Sequence, residues 1–183
     1  MEQTTISAAT KLVLDATHSE VGFKVKHLVI STVTGTFKSF EGNFESEHDD
    51  FTNAKIHFDL EVNSIDTNQE QRDAHLKSAD FFDAENYPKI KFQSTSFKKI
   101  NDEDYELIGD LTIRDITKSV KVEVEYGGVA TDFYGNLKAG FELKGKINRK
   151  DFGLTWNSIT EAGAIVVGED IKLDINVQFA KQV

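Results

Sequence analysis

Cysteine is absent from this chain of 183 residues, and proline occurs only once, at Pro88. Without cysteine there is no disulfide, no thiolate nucleophile and no cysteine-based metal site. A single proline suits long strand ladders, because proline lacks the backbone N–H that a ladder needs. Long apolar runs are also missing, so no segment is expected to cross a bilayer as a helix, and we expect no stable membrane insertion.

Positive charge is in deficit, with 21 Lys and Arg against 31 Asp and Glu and a net charge of −10. An acidic chain repels phosphate backbones, so no nucleic-acid partner is expected. The first residues show neither the basic start nor the apolar stretch of a signal peptide. This predicts a cytoplasmic location for the chain as written, and a periplasmic or secreted one if a signal has been trimmed. The length predicts a single domain over residues 1–183.

The chain is dominated by alternation of apolar and polar residues with a period of two, which is typical of half-buried strands. Turn-forming residues separate the alternating segments. The pattern predicts an all-β fold, an antiparallel barrel of eight strands. The predicted strands cover residues 21–25, 33–44, 56–62, 90–97, 107–113, 120–126, 137–147 and 171–179.

Two local features interrupt the strands. The spacing from Phe37 to Phe40 breaks the period of two and predicts a bulge. Residues 67–77 are predicted to form the one short helix, with Thr67 and Glu70 as a capping box.

One face of the predicted sheet is apolar, and barrels of this size are either filled by side chains or hold one ligand. Fourteen Phe supply a rigid apolar lining, and glycines at strand positions remove bulk from the wall. Both observations favour a cavity without deciding the question. A filled sandwich without a ligand and a transmembrane barrel stay open as alternatives at this point.

Four segments resemble the YceI-like family of lipocalin-like, polyisoprenoid-binding proteins. The most characteristic is residues 71–92 (QRDAHLKSADFFDAENYPKIKF), in which a polar helix, a Phe-Phe pair and the proline precede a strand. The others are residues 15–28 (DATHSEVGFKVKHL), 109–118 (GDLTIRDITK) and 147–157 (INRKDFGLTWN). The resemblance implies a lipocalin-like barrel and a homodimer, with a bound isoprenoid or quinone as the ligand and no other cofactor. The expected role is transport, storage or sequestration of this ligand.

The ligand-lining residues are predicted from two sources. Strand alternation indicates which side chains point inward, and the family resemblance implies that the inward face lines a tunnel. The predicted lining residues are Val21, Phe23, Val25, Phe37, Phe44, Phe58, Leu60, Phe92, Leu111, Ile113, Phe141 and Trp156. Four polar residues are the candidates for contacts with a ligand head group, namely Arg72, His75, Arg149 and Asp151. An Arg pair of this kind suits a diphosphate or a quinone carbonyl.

The alternative to a binding protein is an enzyme that acts on an isoprenoid or lipid inside the barrel. The sequence has no G-x-S-x-G elbow, H-E-x-x-H motif, P-loop or Rossmann fingerprint. The five His residues show no local metal-ligand spacing. We therefore assign no catalytic residue and no metal site, and predict a non-enzymatic protein.

Overall fold

A computed structural model describes residues 10–48, 50–157 and 166–181. In these ranges the chain forms eleven strands and one α-helix. The strands are β1 (Thr10–Leu14), β2 (Glu20–His27), β3 (Ser31–Phe37), β4 (Phe40–Ser46), β5 (Lys55–Glu61), β6 (Ile65–Asp66), β7 (Lys89–Lys99), β8 (Asp104–Ile113), β9 (Ile116–Thr131), β10 (Leu137–Asn148) and β11 (Val167–Lys181), and the helix is α1 (Glu70–Lys77).

The strands form one closed antiparallel sheet with eight positions around the barrel. Strands β1 and β2 both pair with β11 and together occupy one position. Strands β3 and β4 pair with β2 and β1 and occupy the next position, and β6 and β5 pair with β3 and β4 and occupy the third. The long strand β11 closes the ring, because it pairs with β10 on one side and with β2 and then β1 on the other. The predicted eight-stranded antiparallel barrel with one helix is confirmed.

Three neighbouring barrel positions bend where their strands are interrupted. The interruptions are the 3-10 turns Ala16–His18 and Val62–Ser64 and the short break at residues 38–39. The break lies between Phe37 and Phe40, where the sequence predicted a bulge. A backbone hydrogen bond joins two of these interruptions, since Lys38 N–H donates to Ser64 O at 3.1 Å. Strand β1 was not predicted, because its five residues alternate over too short a stretch to stand out.

The helix begins later than predicted, and the capping box is wrong. Gln69 is the N-cap residue and its side chain makes no cap hydrogen bond. Thr67 lies before the helix, where its backbone N–H and its hydroxyl both donate to Oδ1 of Asp73. The carboxylate of Asp73 therefore ties the incoming loop to the first turn, which is the task the sequence pattern had assigned to Glu70.

The apolar interior divides into two clusters along the barrel axis. One is rich in aromatic rings around Phe44 and lies at the end that carries the β9–β10 hairpin. The other contains Val21, Ile113 and Phe152 and lies at the end covered by α1. Leu76 of the helix and Phe82 after it pack against this second cluster. The two ends of the barrel are therefore filled in different ways.

A half-buried ionic cluster ties the first bend to the β9–β10 hairpin. Lys138 Nζ, on β10, contacts Asp15 Oδ2 and lies 3.5 Å from Asp132 Oδ2, and His18 Nδ1 lies 2.8 Å from Asp15 Oδ2. The hydrogen bond from Lys138 is the main reason why the pKa of Asp15 falls from 3.8 to about 2, with His18 adding to it and burial opposing it.

The lowered pKa predicts a pH-dependent contribution of Asp15 to stability. A carboxyl whose pKa is depressed by folding stabilises the fold above its unfolded pKa, and this stabilisation is lost as the pH falls through 3.8 toward about 2. Asp15→Asn should lower the free energy of unfolding at neutral pH by about 1–2 kcal/mol. Urea denaturation of both proteins at several pH values should show the difference shrinking below pH 3.8. A difference that stays constant, or persists in a Lys138→Met background, would contradict the assignment.

Candidate functional site

The barrel contains a partly open cavity of about 220 Å³. All eight barrel positions contribute to its wall, together with Leu76 of α1 and the Phe81–Phe82 pair that follows the helix. Among the described residues that line it, Lys91 and Arg149 alone are charged and the rest are apolar or glycine. Apolar cavities of roughly 150 Å³ already stay dry and take up benzene. This wall therefore favours a water-poor ligand.

Exposure of the inward-facing side chains shows which part of the barrel is hollow. Phe23, Phe92 and Leu111, toward the α1 end, are only half-buried although they point inward. Phe97 and Phe141, on the same sheet but toward the hairpin end, are almost fully buried. The interior is thus open below the helix and packed solid at the other end.

Two glycines allow aromatic rings to lie flat against the wall. A Cβ at Gly35 would come within 2.3 Å of the Phe23 ring, and one at Gly109 within 2.3 Å of the Phe92 ring. Any side chain at these positions would push the rings into the cavity. Both glycines therefore preserve the width of the cavity as well as the curvature of the sheet.

The structure places eleven of the twelve predicted lining residues on the cavity wall, all except Trp156. Trp156 instead packs outside it, with its ring 4.6 Å from the ring of His75 and 5.3 Å from that of Phe81. Phe81 is itself a lining residue. Trp156 thus backs a wall residue, and the ligand contacts of all twelve stay predictions.

The sequence analysis missed the lining residues contributed by the helix region. Leu76, Phe81 and Phe82 have no strand alternation that would show which way they point. The Phe-Phe pair was noted only as part of a family signature. On the strands, the same alternation that identified the predicted set also applies to Phe97 and Ile147, which the structure places on the wall.

Arg72 and His75 lie on α1, close to the covered end of the cavity. Arg72 Nε donates to Thr67 Oγ1 at 2.7 Å and Nη2 donates to Thr67 O at 2.6 Å. His75 Nε2 lies 2.9 Å from Asp80 Oδ2. Both side chains hold the helix to its flanking loops. In the described part of the chain, Nη1 of Arg72 makes no hydrogen bond.

Arg149 is buried, with 2% of its surface exposed, and lines the cavity. Its guanidinium donates to four backbone carbonyls, those of Gly168, Leu154, Trp156 and Val167, at 2.6–3.3 Å. Burial lowers its pKa below the ordinary value, with Glu169 partly opposing the shift. The side chain thus joins the segment after β10 to the start of β11.

Asp151 lies in the turn beside Arg149 and is exposed. It is separate from Arg72 and His75 in the chain, and no contact brings the four predicted head-group residues together into one cluster. The described residues contain no group of three or more His, Cys, Asp or Glu placed to hold a metal ion. Over the same ranges, the one helix is too short and too polar to cross a membrane.

Comparisons with known proteins agree with this geometry. The model of the YceI-like domain family matches residues 12–179. A UPF0312 protein of Staphylococcus epidermidis is 37% identical over 172 residues, which are 93% of this chain and 98% of that protein. The crystal structure of a YceI protein of Campylobacter jejuni is 34% identical, with complete coverage of both chains and a TM-score of 0.73.

A more distant structure shares the fold alone. It is a polyisoprenoid-binding domain from Saccharophagus degradans, 14% identical, with a TM-score of 0.67 over 96% of this chain and 99% of that one. At this level of identity the likeness concerns the barrel, and the residues of the two cavities need not correspond.

The contacts of Arg149 predict that it is needed for stability. Arg149→Met should lower the free energy of unfolding by about 3 kcal/mol, because buried carbonyls would lose their donors. The matched control is Lys150→Met next to it, whose exposed pair with Glu169 should contribute much less to stability. Chemical denaturation measures both. Equal effects of the two substitutions would refute the structural role of Arg149.

Proposed function

The chain belongs to the YceI-like domain family, and from this premise we propose that it is a non-enzymatic binding protein for one long isoprenoid chain. The ligand would be a polyprenyl diphosphate or the tail of a quinone, held in the barrel cavity for transport, storage or sequestration. The observation that carries the proposal is the apolar cavity of about 220 Å³. The printed description of the Saccharophagus degradans domain as polyisoprenoid-binding supports the same ligand class.

The energetics of such a cavity favour a long chain over a short one. Burial of a CH₂-sized group contributes about 0.8 kcal/mol, so one five-carbon unit contributes roughly 4 kcal/mol. Association costs about 4–15 kcal/mol in lost translational and rotational freedom. Two or three units therefore only offset this cost, and several units are needed for tight binding. The wall distinguishes apolar chains from polar molecules, but it recognises no head group.

The enzyme alternative finds little support in the wall. Among the described residues that line the cavity there is no carboxylate, imidazole, hydroxyl or thiol. General acid–base chemistry on a bound lipid needs a group of this kind within hydrogen-bond reach of the reacting atom. Lysine can also act as a general acid or base, but the Lys91 side chain is exposed to solvent. The guanidinium of Arg149, the other charged wall residue, donates to backbone carbonyls.

Of the four predicted head-group residues, Arg72 is the best placed in this proposal. Its Nη1 is unused among the described residues, and the side chain is only partly buried. Arg149 is less suitable, since its donors already serve four carbonyls. The homodimer, the cytoplasmic location and the transport role are further parts of the proposal and rest on the family resemblance and the sequence pattern.

The proposal is tested by what the protein carries and by narrowing the cavity. Organic extraction of natively purified protein, followed by mass spectrometry, should yield a prenyl species in a one-to-one ratio with the chain. Leu111→Trp should weaken binding more than roughly tenfold, because the indole would occupy the space of about one isoprene unit. Val25→Trp should act in the same way.

The matched control is Thr112→Trp, since Thr112 is the neighbour of Leu111 on β8 and alternates to the outside of the barrel. It should leave binding unchanged. Protein that yields no prenyl species, even after incubation with quinones and polyprenyl diphosphates, would refute the proposal. Equal binding by Leu111→Trp and the parent would exclude the cavity as the binding site.

Arg72→Ala tests the head-group assignment. Loss of a charge-assisted hydrogen bond should weaken binding of a polyprenyl diphosphate by roughly tenfold or more and leave that of the matching polyprenol almost unchanged. Lys77→Ala, on the same helix, removes the same charge and is the control. Competition binding measures all three proteins with both ligands. Equal losses for diphosphate and alcohol would remove Arg72 from the head-group role.

A further inference from the structure

The hollow part of the barrel ends at a layer of aromatic rings. Phe44 lies at its centre, with ring centroids of Phe51, Phe97, Phe141 and Phe179 at 5.2–5.9 Å. Only 2% of Phe44 is exposed. Rings packed at these distances leave no gap through which a chain could pass.

The rings of this layer differ in whether they touch the cavity. Phe44, Phe97, Phe141 and Phe179 line it. Phe51, Tyr105 and Tyr126 do not line it, and they pack directly behind the lining rings. The layer is therefore two rings thick, and the first ring layer is supported from behind.

The supporting rings are anchored and not free to retreat. The Tyr105 ring stacks on Phe97 at 4.7 Å, with an interplanar angle of 6°, and its hydroxyl donates to Asp50 O at 2.6 Å. The Phe51 ring meets Phe44 edge-on at 5.2 Å and Tyr126 at 5.6 Å. A ligand that pressed on Phe44 would have to displace these contacts together, because packed aromatic cores do not deform gradually.

We infer that Phe44 and Phe141 form the floor of the cavity and set the longest isoprenoid chain that the protein can bury completely. The two rings are stacked on each other at 5.5 Å and both face the cavity. The inference rests on the proposed function and adds the residues that select chain length. Isoprene units for which there is no room above this floor stay outside the cavity in water and contribute no free energy of burial.

The consequence is a break in the dependence of affinity on chain length. Affinity should rise with each added isoprene unit until the terminal unit reaches the floor, and then stop rising. Phe44→Ala or Phe141→Ala removes a six-carbon ring, close to the five carbons of one isoprene unit. Either change should move the break by about one unit toward longer chains. Phe44→Leu is the milder variant and should give a smaller shift if the alanine variants do not fold.

A substitution of the opposite sign should shorten the preferred chain. Leu143 lies two residues from Phe141 on β10, in the direction of the helix, and also lines the cavity. Two residues along a strand span about 6.6 Å. Leu143→Phe should therefore raise the floor and move the break toward shorter chains.

The experiment is competitive loading with a mixture of all-trans polyprenols that differ by one isoprene unit. Equimolar polyprenols are incubated with each purified full-length variant, and bound species are extracted and quantified by mass spectrometry. The control is Phe152→Leu, a change in a side chain that is 1% exposed and absent from the cavity wall. It accounts for nonspecific effects of core destabilisation and should leave the length distribution of the parent unchanged.

Opposite shifts in the floor variants and in Leu143→Phe, with none in Phe152→Leu, support the inference. If the parent loads polyprenols but the break does not move, the floor assignment is overturned while the proposed function stands. A parent that shows no break also overturns it. A parent that loads no polyprenol overturns the proposed function itself, and the length selection with it.

Discussion

Closure of the sheet by β11 is the constraint on which the rest of the structure depends. Its 15 residues, Val167–Lys181, bond to β10 along one side and to both halves of the first barrel position along the other. A closed sheet has no free edges and only one inner face, and in a barrel of eight positions the side chains on that face meet one another away from water, which favours apolar residues there. The alternation of apolar and polar residues along each strand follows from this geometry. The apolar residues of all the strands together surround one continuous space inside the barrel.

The apolar space is divided into two parts along the barrel axis, and the first three barrel positions bend near this division. Interruptions at Ala16–His18, at residues 38–39 and at Val62–Ser64 lie on neighbouring strands. On one side of them the aromatic cluster around Phe44 fills the barrel. On the other side α1 and the Phe81–Phe82 pair cover it, while inward residues stay half-buried. One polypeptide thus builds a rigid packed half and a hollow half from the same alternation.

The sequence predicted the barrel well because its signal is local. Period-two alternation needs only neighbouring residues, and it identified the eight positions and the facing of the strand residues on the wall. The predicted start of the helix at Thr67 was wrong for a different reason, since both Glu70 and Asp73 are carboxylates close enough in sequence to pair with Thr67. Its backbone N–H and hydroxyl donate to Asp73, a choice that depends on how the loop meets the barrel. The position of Trp156 behind the wall could not be predicted either, because the residues that its ring contacts, His75 and Phe81, are distant in sequence.

Arg149 shows why the sequence could not assign the polar part of the site. An arginine next to a carboxylate in a turn resembles a head-group ligand, but the structure directs its donors to four backbone carbonyls. A buried guanidinium must find acceptors, and here two of them belong to the irregular segment after β10 and two to the first residues of β11.

The apolar wall and the polar residues outside it differ in what they can recognise. An apolar wall gains free energy in proportion to the area it buries, so it can measure length but cannot distinguish one head group from another. Selectivity for a charged end then has to come from a cation outside the wall, and it must have donors that the fold itself does not use. By that criterion a half-buried arginine on a short surface helix is more useful than a fully buried one. The proposed function therefore assigns recognition of the charged end to Arg72, whose Nε and Nη2 donate to Thr67, while the buried guanidinium of Arg149 serves the fold.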